Sequence, residues 1–110
     1  MSVAEHLEIL NKEGHPLHEI GVNEVALPRD AALRAIEALE NTDLAVLGGD
    51  VYKVVAGKPD LSYDSWYCNS EASESASDYA RRSRTVAEQY VRDFKEVGDK
   101  PVLFSLIVSG

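Results

Sequence analysis

The chain has one cysteine, Cys68, in 110 residues, so it forms no internal disulfide. None of its apolar runs reaches the roughly 18–20 residues of a membrane span. Its start, Met1-Ser2-Val3-Ala4-Glu5-His6, lacks the basic stretch and apolar core of a secretory leader. These absences lead us to expect a cytoplasmic protein with no membrane partner. Catalytic signatures are missing too. There is no G-x-S-x-G, no P-loop and no G-x-G-x-x-G, and Gly48-Gly49 is too short to cradle a phosphate. All three histidines fall within the first eighteen residues, far in sequence from Cys68, so no nucleophile–base pair is indicated. His15 and His18 have neither a cysteine pair nor an H-E-x-x-H to complete a ligand set, so no metal or other cofactor is expected. Cys68, near the end of an apolar alternation, reads as structural.

Bases are scarce. Eleven Lys and Arg face nineteen Asp and Glu, a net charge of −8. Residues 1–50 hold ten acids and three bases, whereas residues 51–110 hold nine and eight. Within the second half no Lys or Arg occurs from Pro59 to Ala80, a stretch carrying Asp60, Asp64, Glu71, Glu74 and Asp78. Such a field repels phosphates and excludes a nucleic-acid-binding role, while it attracts a basic protein. Solubility alone is the competing explanation.

The apolar share of 45% and charged share of 27% are those of an ordinary globule with one core. The organising stretch is Leu44–Val55, two apolar runs flanking Gly48-Gly49, with Asp50 directly after. Paired glycines allow either a tight hairpin or a bulge in one long strand, and the bulge is the reading adopted here. Asp50 then sits at a bend, accessible, or simply bonded to its own turn. Before it, Ser2-x-x-Glu5 reads as a capping box for a first helix with a Val3–Leu7–Leu10 stripe, ended by Gly14. On that helix His6 reads as a surface residue. Ile20–Leu27 is a short edge strand or connector. Pro28 opens a second helix with Ala32, Leu33, Ile36 and Leu39 on its apolar face.

Ala56–Asp60 reads as a turn, and Leu61–Tyr67 as a strand that pairs back on the first. If Leu61 and Tyr63 point inward, Asp64 and Trp66 point outward together as an interface pair; alternatively Trp66 fills the core. Ser75-x-x-Asp78 caps the longest helix, near residues 75–97, whose Arg81, Arg82 and Arg84 read as local charge partners of the acidic segment. Gly98-Asp99 is a turn. Val102–Val108 is nearly continuous in apolar residues and reads as a central strand. The expectation is a single α+β domain over residues 1–110. It has a small mixed or antiparallel sheet of about four strands and about three helices.

Leu47-Gly48-Gly49-Asp50-Val51-Tyr52, Tyr63-Asp64-x-Trp66-Tyr67-Cys68, the Glu71…Glu74-Ser75 and Tyr79 helix start, and the closing strand through Val108 resemble the immunity protein 40 family. The resemblance runs from about Ala31 to Val108. It implies a non-enzymatic bacterial protein of polymorphic toxin and contact-dependent inhibition systems that binds and blocks one cognate toxin domain, a nuclease being one possibility. It carries no catalytic residue. The acidic composition agrees with such a role, since nucleic-acid-cutting toxins are basic where they grip phosphate. The candidate partner-binding residues are Asp50, Asp60, Asp64, Trp66, Tyr67, Glu71, Glu74 and Asp78. The alternative is a small cytoplasmic enzyme or ligand-binding domain using Asp50 and Asp64 in a cleft.

Overall fold

A computed structural model describes residues 3–22, 24–96 and 101–109. In order they form helix α1 (Val3–Glu13), strand β1 (His15–Pro16), a 3-10 turn (His18–Ile20), strand β2 (Val25–Pro28), helix α2 (Arg29–Glu37), strands β3 (Ala45–Val55) and β4 (Lys58–Tyr67), helix α3 (Ala76–Asp93) and strand β5 (Val102–Ser109). The sheet is antiparallel with order β1-β2-β5-β3-β4. The α+β expectation holds. The fifth strand is the two-residue β1, too short to leave an alternation in the sequence. Val102–Ser109 is the central strand, as its unbroken hydrophobicity requires.

β3 runs through both glycines as one strand, with a register shift between Val46 and Gly48 against β5. The glycines are required by close approach. A Cβ on Gly48 would lie 2.3 Å from the Trp66 carbonyl oxygen, and one on Gly49 would meet the Ser105 carbonyl at 2.0 Å and the Trp66 ring at 2.4 Å. Ala56 and Gly57, at φ 53° and 78°, close the β3–β4 hairpin in the primed-turn conformation that matches strand twist.

Cross-strand partners share a face. Gly49 faces Trp66 and Leu106, and Val51 faces Phe104, so these residues lie on the side covered by helices. There Trp66 and Phe104 join Ala31, Ala32, Ala35 and Ile36 of α2 and Ala87 and Val91 of α3. The alanines let α2 sit close to the sheet. Trp66 stacks on Tyr90 at 4.6 Å between centroids, and Phe94 meets Phe104 edge-on at 5.8 Å. A second, smaller cluster lies on the other face, where Leu17, Ile20 and Val22 cover Ala26, Tyr52, Leu103 and Val54.

Polar ties fix the helices. Arg29 donates to the Val91 and Arg92 carbonyls at 3.1 and 2.9 Å, satisfying the C-terminal end of α3. Ser75 caps α3, its hydroxyl accepting from the Asp78 N–H at 3.1 Å. That helix gives way to extended backbone at Phe94, earlier than its expected end. Ser2 of the first expected capping box, Val97, and the Gly98-Asp99 turn lie outside the described residues. Two helix readings are corrected. His6 is buried, its ring nitrogen Nδ1 2.8 Å from the Ala35 carbonyl oxygen, whereas Val3 and Leu7 are exposed. The inner stripe of α1 is therefore His6, Ile9 and Leu10, because a polar ring with a carbonyl partner is as buriable as a leucine. Arg84 is also buried, donating to the Leu44 and Thr42 carbonyls at 2.8 and 3.3 Å instead of pairing with a carboxylate.

Candidate functional site

Among the described residues, the face of the sheet turned away from the helices is covered at one end only. Leu17–Val22 roofs Tyr52 and Leu103, and beyond them two cross-strand rows follow from the register. One is Ser65–Asp50–Ser105 and the next is Tyr67–Gly48–Ile107. Gly48 contributes no side chain, so Tyr67, 77% exposed, and Ile107, 43% exposed, flank a low saddle. Leu61, opposite Tyr52, adds a further exposed apolar group. The result is an open apolar and aromatic strip with a carboxylate beside it.

That carboxylate is Asp50, half-buried, with its backbone N–H donating to Ser105 Oγ at 3.2 Å. Burial first, and then the Asp50 charge, raise the pKa of Glu24. Burial followed by the same charge also raises the pKa of the Tyr52 phenol. Asp50 and Glu24 thus repel one another across this end of the strip, a situation that a cation relieves.

Along the outer edge, β4 departs from a regular strand. Asp50 pairs with Ser65 and Tyr52 with Leu61, so three β4 residues, Ser62 to Asp64, stand against Val51 alone. Ser62 Oγ donates to the Val51 carbonyl at 2.8 Å and accepts from the Asp64 N–H at 3.2 Å. The insertion corrects the expected facing. Neither Leu61 nor Tyr63 points inward, Tyr63 being 89% exposed, while Trp66, 8% exposed, belongs to the core. Of the two readings of Trp66, the core one holds, because its ring fills the space left by Gly49.

Asp50 and Asp64, the pair of the alternative reading, are not cross-strand partners. Ser65 shares the open face with Asp50, whereas Asp64 is exposed within the Ser62–Asp64 insertion opposite Val51, its N–H donating to Ser62 Oγ.

Past Tyr67 the chain is held by a cluster in which Arg82 serves as a local charge partner of the acidic segment, as its place in the sequence suggests. Arg82 donates to Glu74 through Nε at 2.7 Å and Nη2 at 2.8 Å, to the Asn69 carbonyl at 2.7 Å and to Cys68 Sγ at 3.2 Å. The Tyr79 hydroxyl donates to the Cys68 carbonyl. One guanidinium thus ties both ends of the Asn69–Glu74 loop. Hydrogen bonding from Arg82 holds the Glu74 carboxyl down at about 2. Asp78 pairs with Arg81 at 3.5 Å. Asp60, Asp64 and Glu71 are exposed and make no ion pair among the described residues. Among those residues no group of three or more His, Cys, Asp or Glu is arranged to hold a metal, and no helix is long and apolar enough to cross a membrane.

These features define a small antiparallel α+β domain with one sheet face closed by helices and the other left partly open among the described residues. The chain belongs to the immunity protein 40 family, whose model matches residues 16–108. The match takes in the whole sheet apart from His15 and Ser109, and leaves out α1. Comparison with curated proteins and with solved structures returns no match.

Proposed function

We propose that this immunity protein neutralises its cognate toxin domain by laying the open sheet face and the β4 edge against a basic surface of the toxin. The observation that carries the reading is the Tyr67–Gly48–Ile107 saddle beside Asp50, all within the residues matched to the family. An exposed aromatic beside a low saddle is the usual form of an interface anchor, and Tyr67 takes that role. Asp60, Asp64 and Glu71 form the charged rim. Glu74 and Asp78 contribute less, since their charges are already met by Arg82 and Arg81. Acidic complementarity of this kind steers encounter, and it suits a toxin that is basic because it cuts nucleic acid. Such a complex forms in the cytoplasm of the producing cell and requires no cofactor.

The test is co-purification with a candidate toxin domain taken from the gene neighbouring this one, with growth rescue as the functional readout. Tyr67→Ala should weaken binding at least tenfold, about 1.4 kcal/mol, at an unchanged melting temperature. Joint reversal of Asp64 and Glu71 to Lys should slow association at low ionic strength and have little effect at high salt. Wild-type affinity in both variants would place the inhibitory surface elsewhere on the domain.

A further inference from the structure

Tyr63 is in an unfavourable place for any reason internal to the fold. Its backbone has φ 68°, a left-handed conformation rarely adopted by an aromatic residue. Its side chain is 89% exposed, so it returns almost no burial for that strain. The bulge is nevertheless pinned, by Ser62 bridging the Val51 carbonyl and the Asp64 N–H. A glycine or asparagine at this position would satisfy the same backbone at lower cost. Strain held in place with no structural return is the usual mark of a contact made to something else.

The surroundings define that contact. Asp64 follows directly and is exposed, with no ion pair among the described residues, while Asp60, three residues before, stands opposite Lys53 of β3. An aromatic face beside an exposed carboxylate suits a cation, above all a guanidinium, which stacks on the ring while donating to the carboxylate. We propose that Tyr63 is a specificity-determining anchor of the toxin interface, seating an arginine or lysine side chain of the toxin against its ring with Asp64 as the counter-charge. The proposal rests on the toxin-binding reading above and adds the edge of β4 to its open face.

Binding kinetics of four variants on the immobilised neighbouring toxin domain, together with thermal melts, provide the test. Tyr63→Gly should raise the melting temperature by relieving strain, yet speed dissociation about tenfold. A purely structural residue would move both in the same direction. Tyr63→Phe, which keeps the ring, should dissociate like wild type, and Tyr63→Leu, which keeps only apolar bulk, should dissociate like Tyr63→Gly. If Tyr63→Gly binds as wild type while Tyr67→Ala is weakened, the anchor assignment is wrong and the open-face reading stands. Full affinity in Tyr63→Leu would overturn the cation contact. Failure of the wild-type protein to bind the toxin domain would remove both.

Discussion

Trp66 and Tyr67 are neighbours on one strand, and they show how the two faces of this sheet divide the work. Trp66 is 8% exposed, stacked on Tyr90 and pressed over Gly49. Tyr67 is 77% exposed beside Gly48, with no helix above it among the described residues. The two glycines serve opposite ends: Gly49 makes room for an inward ring, and Gly48 leaves a low point between two outward side chains. On the helix side, side-chain volume is fixed by α2 and α3. On the other side, the strip can be altered without disturbing the core. If the open face binds the toxin as proposed, stability and recognition are separated across the thickness of one strand.

The sharpest way to break this comparison is Trp66→Ala. Emptying the space between Gly49 and Tyr90 should cost about 3–5 kcal/mol. At about 4 °C per kcal/mol for a domain of this size, the melting temperature should fall by more than about 10 °C. The indole Nε1 finds no hydrogen-bond partner among the described residues, so the loss is one of ring volume and not of a hydrogen bond. Toxin dissociation measured well below the new melting temperature should stay near wild type. A variant that melts normally but dissociates quickly would show that the tryptophan faces the partner after all.

Much of this division was legible in the sequence, and the failures have physical causes. The unbroken run Val102–Val108 announced a strand covered on both sides, Ser75 announced a helix start, and Gly48-Gly49 announced a bulge. β4 was misread because period-2 reasoning assumes an uninterrupted strand, whereas three residues opposite Val51 reset the alternation between Leu61 and Ser65. His6 and Arg84 were misread for a related reason. Polar side chains are placed on surfaces by default, but each of these finds backbone carbonyls that hydrophobic periodicity does not report. The open face itself left only an indirect trace, an acidic stretch without bases, because sequence alone shows which residues alternate and not which face lacks a cover.

A second prediction sharpens the boundary where β4 leads into the Arg82-clamped loop. In the folded protein Arg82 keeps the Glu74 carboxyl at about 2, against an ordinary value of 4.5. The folded value is the lower one, so the stabilisation is complete above pH 4.5 and is lost as pH falls toward 2. Glu74→Gln should therefore melt below wild type near neutral pH, with the gap closing progressively between those two pH values. Melts across the range, or amide exchange in the Asn69–Glu74 loop, measure it. A gap that stays constant at low pH would mean that the loop is held by the bonds to Asn69 and Cys68 and not by the ion pair.

The smallest effect expected is at the hairpin tip, far along the strands from Tyr67. Ala56 occupies the first position of a primed turn at φ 53°, where its Cβ crowds the backbone, and Gly57 follows at φ 78°. Asparagine tolerates the left-handed region far better than alanine, and Asn-Gly is the preferred pair for this turn. Ala56→Asn should thus stabilise the domain by roughly 0.5 kcal/mol, raising the melting temperature by about 2 °C. Because the strain here is relieved within the turn, toxin association and dissociation should not change. This sets the tip apart from Tyr63, whose left-handed backbone is argued to be held for a contact. Two strained positions on one hairpin then behave differently: release of one costs affinity, and release of the other does not. A loss of affinity in Ala56→Asn would extend the recognition surface to the turn and erase that distinction.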